Sequence, residues 1–268
     1  MAVVTAGGYG APVKLGDLGD PAVKESSGLA ASRRNPGRLW THNDSGDGPL
    51  VYCLERSGAS CGVWRVEGAR AVDWEDMAAG PGPVAGEPYL YLGDIGDNAR
   101  ARNEVVVYRV AEPEVPLRGG QGTKARPAAA GPGEALRLRY PDGPHDAEAL
   151  LVHPASGDLY IVAKELFGPA GVYRAPAPLA AGEVVGMQRV AEVAIGLVTG
   201  GDIAPDGSRV ALCSYTGGFE LALHAPGAPF DTIWQQRPAL VALAARRQGE
   251  AIAYRLDGSA LLTTSELV

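Results

Sequence analysis

Five segments of this chain share a short signature: an acidic or small polar residue just ahead of an apolar pair, then a tight turn and a second apolar run. They read Glu25-Ser-Ser-Gly-Leu29, Asp73-Trp-Glu-Asp-Met77, Asp146-Ala-Glu-Ala-Leu150, Thr199-Gly-Gly-Asp-Ile203 and Gln248-Gly-Glu-Ala-Ile252. Recurrence at roughly 50 residues marks one supersecondary unit that buries its apolar faces against copies of itself. The turns after four of the copies, such as Arg34-Asn-Pro-Gly37 and Pro205-Asp-Gly207, combine Asn, Asp or Ser with a closing Gly, the chemistry of tight reversals.

Second strands follow at Leu39–His42, Leu90–Gly93, Leu159–Val162, Val210–Cys213 and Ala260–Thr263, and the first four copies have room for a third and a fourth. Four antiparallel strands per copy, stacked radially, predict an all-β, five-bladed β-propeller in which residues 1–268 are one domain. The fifth copy runs out of chain after two strands. N-terminal strands at Ala2–Thr5 and Pro12–Leu15 are expected to complete it and close the ring. A six-bladed ring is the alternative; it needs another unit hidden between Met77 and Leu150. The Pro-, Gly- and Ala-rich stretch at about 111–134 reads instead as a surface insertion. Pro238–Arg247 suits a helix or a strand equally.

The 37 Gly and 21 Pro fit many short strands and leave little room for long helices, and no apolar run is long enough to span a membrane. Net charge is −7 with no basic stripe, which argues against nucleic acid as a partner. A monomer with a small-molecule ligand is the expectation. Of three cysteines, Cys53 and Cys61 flank the Ser57-Gly58 turn and bridge it only if the register sets them opposite; otherwise they are two thiols. The N-terminus lacks the pattern of a signal peptide, so a cytoplasmic protein and one whose leader has been removed both fit.

In a propeller the link into each innermost strand and the link between second and third strands emerge on one face. That places Asp73, Glu75, Asp76, His145, Asp146, Glu148, Asp202 and Glu250 together with His42, Asn43, Asp44, Asp47, Asp94, Asp97, Lys164, Glu165 and Tyr215. Two carboxylates about 5 Å apart repel by about 3 kcal/mol at an effective dielectric near 20. Several such pairs rival the whole stability of a domain, so a counterion is expected. Hard oxygen ligands without a His or Cys cluster favour calcium. The candidate ligands are Glu75, Asp94, Glu148, Asp202 and Glu250. Asp73, His145 and His42 are candidates for proton transfer, because a nearby carboxylate raises an imidazole pKa. Asn43, Asp44, Trp74, Arg100, Arg102, Lys164 and Tyr215 are candidates for substrate contact. The chemistry expected is metal-dependent hydrolysis. Glycosidase-type chemistry by paired carboxylates and a non-catalytic binding propeller are the alternatives. Nucleophile-elbow, zincin and Cys-x-x-Cys motifs are absent from the sequence.

Glu25-Ser-Ser-Gly-Leu29, Thr41-His-Asn-Asp-Ser-Gly46, Asp73-Trp-Glu-Asp76, Gly93-Asp-Ile-Gly-Asp-Asn98, Asp146-Ala-Glu-Ala-Leu150 and Gly249-Glu-Ala-Ile252 together resemble a family of poorly characterised bacterial propeller proteins, many of them secreted or lipoproteins. More distantly, the acid-then-apolar signature is similar to calcium-dependent propeller phytases and to the gluconolactonase/paraoxonase group. That resemblance implies a metal at the channel mouth and hydrolysis of a phosphoester, ester or lactone. The chain departs from the phytases in having few Lys and Arg, and from the lactonases in its expected blade count.

Overall fold

The computed structural model describes residues 8–117, 120–215, 217–244 and 248–265. Blade one is built from β1 (Ser26–Ala31), β2 (Arg38–Asn43), β3 (Leu50–Glu55) and β4 (Ser60–Glu67). Blade two comprises β5 (Trp74–Pro81), β6 (Pro88–Asp94), β7 (Val105–Ala111) and, after a detour through β8 (Ala128–Pro132), β9 (Glu134–Arg139). Blade three has β10 (Ala147–Val152), β11 (Leu159–Ala163), β12 (Ala170–Ala175) and β14 (Gln188–Val193), with the short β13 (Val184–Gly186) in between. Blade four has β15 (Val198–Ile203), β16 (Arg209–Ser214), β17 (Gly217–Ala222) and β18 (Ala239–Val241), and a hairpin of β19 (Gly249–Tyr254) and β20 (Leu261–Ser265) ends the described chain.

Burial follows from stacking. Strands covered on both faces by neighbouring blades read as continuous apolar runs, as in Leu50-Val-Tyr-Cys-Leu54 of β3. The outlying β9 alternates instead, with Leu136 and Leu138 buried and Arg137 and Arg139 exposed. The inner strands β1, β5, β10, β15 and β19 pack side by side around one axis.

The five-bladed expectation, and the six-bladed alternative with it, is corrected here to four blades. Among the described residues the fifth repeat supplies the two-stranded hairpin β19–β20, and no hydrogen-bonded strand pairing closes the ring. Residues 12–15 form no strand; Val13 and Leu15 are exposed, and glycines at 10, 16 and 19 break any run. The segment acts through packing instead. Leu18 lies against Leu29, Leu39, Leu54 and Leu262, and Tyr9 donates to Glu220 Oε1 at 2.6 Å. The other expected closing strand, at residues 2–5, lies outside the described residues, as do Arg246 and Arg247. Of the Pro238–Arg247 stretch, Ala239–Val241 is strand.

The 111–134 stretch leaves blade two, crosses to blade one and adds β8 in parallel to β4 before returning as β9. In the same way β13, from the third blade, pairs in parallel with β9 of the second. Both additions cover an edge that would otherwise be open to another chain. Glu112 anchors the first crossing. Its buried carboxylate accepts from the amides of Arg33 and Arg34 at 3.0 Å each and from Trp40 Nε1 at 2.9 Å. Cys53 pairs with Gly62 across β3 and β4 rather than with Cys61, and all three cysteines are buried thiols outside any disulfide.

Candidate functional site

Each inner strand opens with a register shift: between Ser26 and Gly28, Trp74 and Asp76, Ala147 and Ala149, Val198 and Gly200, and Gly249 and Ile252. A β-bulge inserts an unpaired residue and re-aims its side chain. The residues so placed are Ser27, Glu75, Glu148, Thr199 and Glu250, all buried. The hydroxyls among them tie neighbouring strands together: Ser27 Oγ donates to the carbonyl of Glu75, and Thr199 Oγ1 to that of Gly249 at 2.9 Å. The three glutamates occupy the same level at the channel mouth.

A second repeated device sits at the end of the second strands. Asn43 accepts from the amides of Lys24 and Glu25 at 2.9 and 3.1 Å, and Asp94 from those of Val72 and Asp73 at 3.2 Å each. Both side chains fasten the link into an inner strand. Asp94 also receives Arg102 Nη1 at 2.8 Å, and Asn43 donates to Asp47 and to the carbonyl of Ala22. Both side chains are thus engaged in holding backbone, Asp94 together with its ion pair to Arg102.

Asp76 is another fastener, fully buried beneath the mouth. Its carboxylate accepts from Met77 at 2.8 Å, Leu150 at 3.0 Å and Gly201 at 3.1 Å, so one side chain joins the inner strands of three blades. Asp202 does not join the acidic mouth. The register puts Thr199 at the level of Glu75, while Asp202 lies deeper, accepts from Ile203 and Tyr254 at 2.8 Å each, and lines a recess with Arg33 and Pro205 toward the other end. Burial pushes its carboxyl up to about 7.

What converges at the mouth is Asp44 from blade one with Asp73 and Glu75 from blade two, their carboxylate oxygens within 4.8 Å of one another. Among the described residues no donor reaches the Glu75 carboxyl. Burial, then Glu148, Asp44, Asp73 and Asp146, push it up to about 10. Burial and the carboxylates of Asp44 and Asp146 likewise raise Asp73. Glu148 is raised to about 8 by burial against the pull of Lys164, which ion-pairs with its Oε1; its Oε2 is buried without a hydrogen-bond partner. Lys164 Nζ also donates to Tyr215 OH at 2.9 Å.

The remaining candidates separate from this group. His42 is fully buried, its Nδ1 against the carbonyl of Asn43 at 2.8 Å and its ring edge-on to Trp74. Burial lowers its pKa, the reverse of the rise expected for a proton-transfer group. Trp74 is core, its Nε1 donating to the carbonyl of Arg70 at 2.9 Å, and so is no platform for a substrate ring. The imidazole of His145 is enclosed by Tyr140, Tyr173 and Asp142, its Nε2 2.8 Å from Tyr173 OH and 2.9 Å from Asp142 Oδ1. Arg100 pairs with Glu165 at 2.7 Å and Arg102 with Asp94. Glu250 lies buried at the level of Glu148 and contributes to its upward shift.

Reading by residue type missed Gly96. A Cβ there would meet Glu75 Oε1 at 2.2 Å and Asp73 Oδ2 at 2.5 Å. Carboxylate tips can swing aside cheaply, so Gly96→Ala is expected to cost the fold little, within about 1 kcal/mol, while scattering the three acids. Chemical denaturation paired with calcium titration checks this.

No family model matches the chain, and no curated protein matches it in sequence. Among solved structures, the structure of the Dos1 propeller is 10% identical at a TM-score of 0.42, covering 89% of this chain and 54% of that one. The chain thus spans about half the length of that match. A nidogen/laminin complex chain is 13% identical at a TM-score of 0.48, covering 91% and 73%. A chain of Kuenenia stuttgartiensis hydrazine synthase is 9% identical at 0.46, covering 90% and 80%. No matched family model or curated relative stands behind the likeness to phytases or gluconolactonases. No helix among the described residues is long and apolar enough to cross a membrane.

Proposed function

We propose that the acidic mouth of the channel is a calcium-dependent small-molecule site, with Asp44, Asp73 and Glu75 as the cation ligands. The observation that carries this reading is the meeting of those three carboxylates from two blades, reinforced by the buried, unpartnered Oε2 of Glu148 beside them. Unpaired buried acids are costly unless a cation or shared protons compensate. The donor set suits the cation: hard oxygens only, from a loop of blade one and from the entry and bulge of β5 in blade two, a set compatible with the irregular six-to-eight-fold coordination calcium accepts.

Bound calcium supplies a Lewis acid for a phosphoryl or acyl oxygen, which is the basis of the hydrolase reading. The chain's own part is to hold that oxygen's neighbours. Lys164 offers a positive charge at the rim, where it pairs with Glu148. His42 is withdrawn from proton transfer because its ring is fully buried, and His145 because its Nε2 is engaged by Tyr173 and Asp142.

Titration calorimetry of calcium into chelator-treated protein tests the reading. One saturable site is expected, weakened at least about tenfold in an Asp44→Asn, Asp73→Asn double variant. Absence of heat and of any bound calcium by elemental analysis would sink it.

A further inference from the structure

Among the described residues two non-glycine backbones adopt the left-handed region, Arg100 at φ 49° and Leu197 at φ 53°. Both hold the same residue of the loop between β11 and β12. Arg100 donates from its guanidinium to Glu165 Oε2 at 2.7 Å, and the Leu197 amide donates to the Glu165 carbonyl at 2.9 Å. Such backbones are unfavourable for side chains larger than glycine and persist where the surroundings impose them, often at ligand clamps.

The loop held in this way has two sides. Lys164 turns to the mouth, where it engages Glu148 and Tyr215. An ammonium has three donors, so one remains for a ligand. The two residues after Glu165 face solvent, Leu166 at 63% exposure and Phe167 at 86%. Two large apolar side chains left in water, adjacent in the chain to residues that reach the charged mouth, are available for burial against a ligand.

We propose that the mouth takes an anionic amphiphile, a small molecule whose charged head sits between the calcium ligands and Lys164 and whose apolar body lies on Leu166 and Phe167. This rests on the calcium reading above. The charges are complementary: a cation on the acidic trio and the Lys164 ammonium together attract one anion, and the apolar pair begins two residues from that ammonium in the chain.

The test compares phenyl phosphate with methyl phosphate, which share a head and differ in apolar area, by calorimetry at fixed calcium. Phenyl phosphate is expected to bind about tenfold more tightly. In a Leu166→Ser, Phe167→Ser variant that preference is expected to fall within about twofold, with methyl phosphate binding unchanged. Both side chains are exposed, so calcium affinity should be untouched and serves as the folding control. Equal affinities in the unaltered protein, no binding of either phosphate to calcium-loaded protein, or a preference that survives the double substitution overturns the proposal. Calcium-dependent sedimentation with phosphatidylserine vesicles, without discrimination between the phosphates, also overturns it and assigns the surface to a membrane. If calcium itself does not bind, the underlying reading fails separately, and the phenyl-to-methyl ratio measured without calcium still decides whether Leu166 and Phe167 form the apolar contact.

Discussion

Calcium at a hundredfold excess over its dissociation constant is expected to raise the melting temperature of chelator-treated protein by about 5 °C, and Glu75→Gln is expected to abolish the rise. A ligand at that excess stabilises by about 2.7 kcal/mol, and a chain of this size gains about 2 °C per kcal/mol. Glu75 is the residue on which the two states differ most. Without metal its carboxyl is held up to about 10, so at pH 7 it keeps its proton and an amide is a fair substitute. The metal-free melting temperature of the variant should therefore stay within about 2 °C of the original. Calcium needs the carboxylate, which the amide cannot supply.

The pH dependence has a definite sign. A carboxyl whose folded pKa lies above its unfolded one binds more protons in the folded state, so its contribution falls as pH rises between the two values. Metal-free protein should lose stability from pH 5 toward pH 10, and Glu75→Gln should flatten that loss. Scanning calorimetry across this range, with chelator and with calcium, reads all of these effects. A full calcium increment in Glu75→Gln would remove Glu75 from the site. A drop of several degrees without metal would make it a structural residue.

Asp76→Ala is expected to destabilise the protein by about 4 kcal/mol or more, read as a shift in urea midpoint and a fall of about 8 °C in melting temperature. The substitution strands three buried amides, those of Met77, Leu150 and Gly201, each costing about 1–3 kcal/mol when left without an acceptor. The effect should exceed that of a simple cavity because the amides belong to three inner strands that no shared ladder holds together. Asp76→Asn keeps one acceptor oxygen and turns an NH2 group toward an amide, so an intermediate loss is expected. A loss below about 1 kcal/mol for Asp76→Ala would mean that water or a shifted strand replaces the carboxylate.

The repeat made the inner strands legible. Glu75, Glu148 and Glu250 share one level because the acid-then-apolar signature marks the bulge in those copies. The fourth copy misled because the alignment used Ile203, whereas the register sets Gly201 opposite Leu212 where the other copies have Met77 and Leu150. Glycine there erased the apolar mark, and Asp202 was read two residues out of place. Asn43 as a candidate substrate contact and Asp94 as a candidate metal ligand rest on residue type, which a sequence gives without the amides that each side chain faces. Asp44 was legible as a mouth residue, yet its meeting with Asp73 and Glu75 depends on how two blades sit side by side. The incomplete ring has the same origin. A fifth pair of strands was plausible in composition, but residues 12–15 lie exposed without a partner ladder, and the segment is held by Tyr9 and Leu18 on either side of them.

The two parallel additions at the outer edges have a consequence for synthesis. Because β8 completes blade one and β13 completes blade two, neither blade is finished when its own four strands have left the ribosome. At about 5–20 residues per second, the rim of β4 waits several seconds for Ala128–Pro132 to emerge, and β9 waits again for Val184–Gly186. During those intervals nascent chains on one messenger could pair through bare rims, so truncations ending between Glu67 and Ala128 should aggregate more than those ending after Gly186.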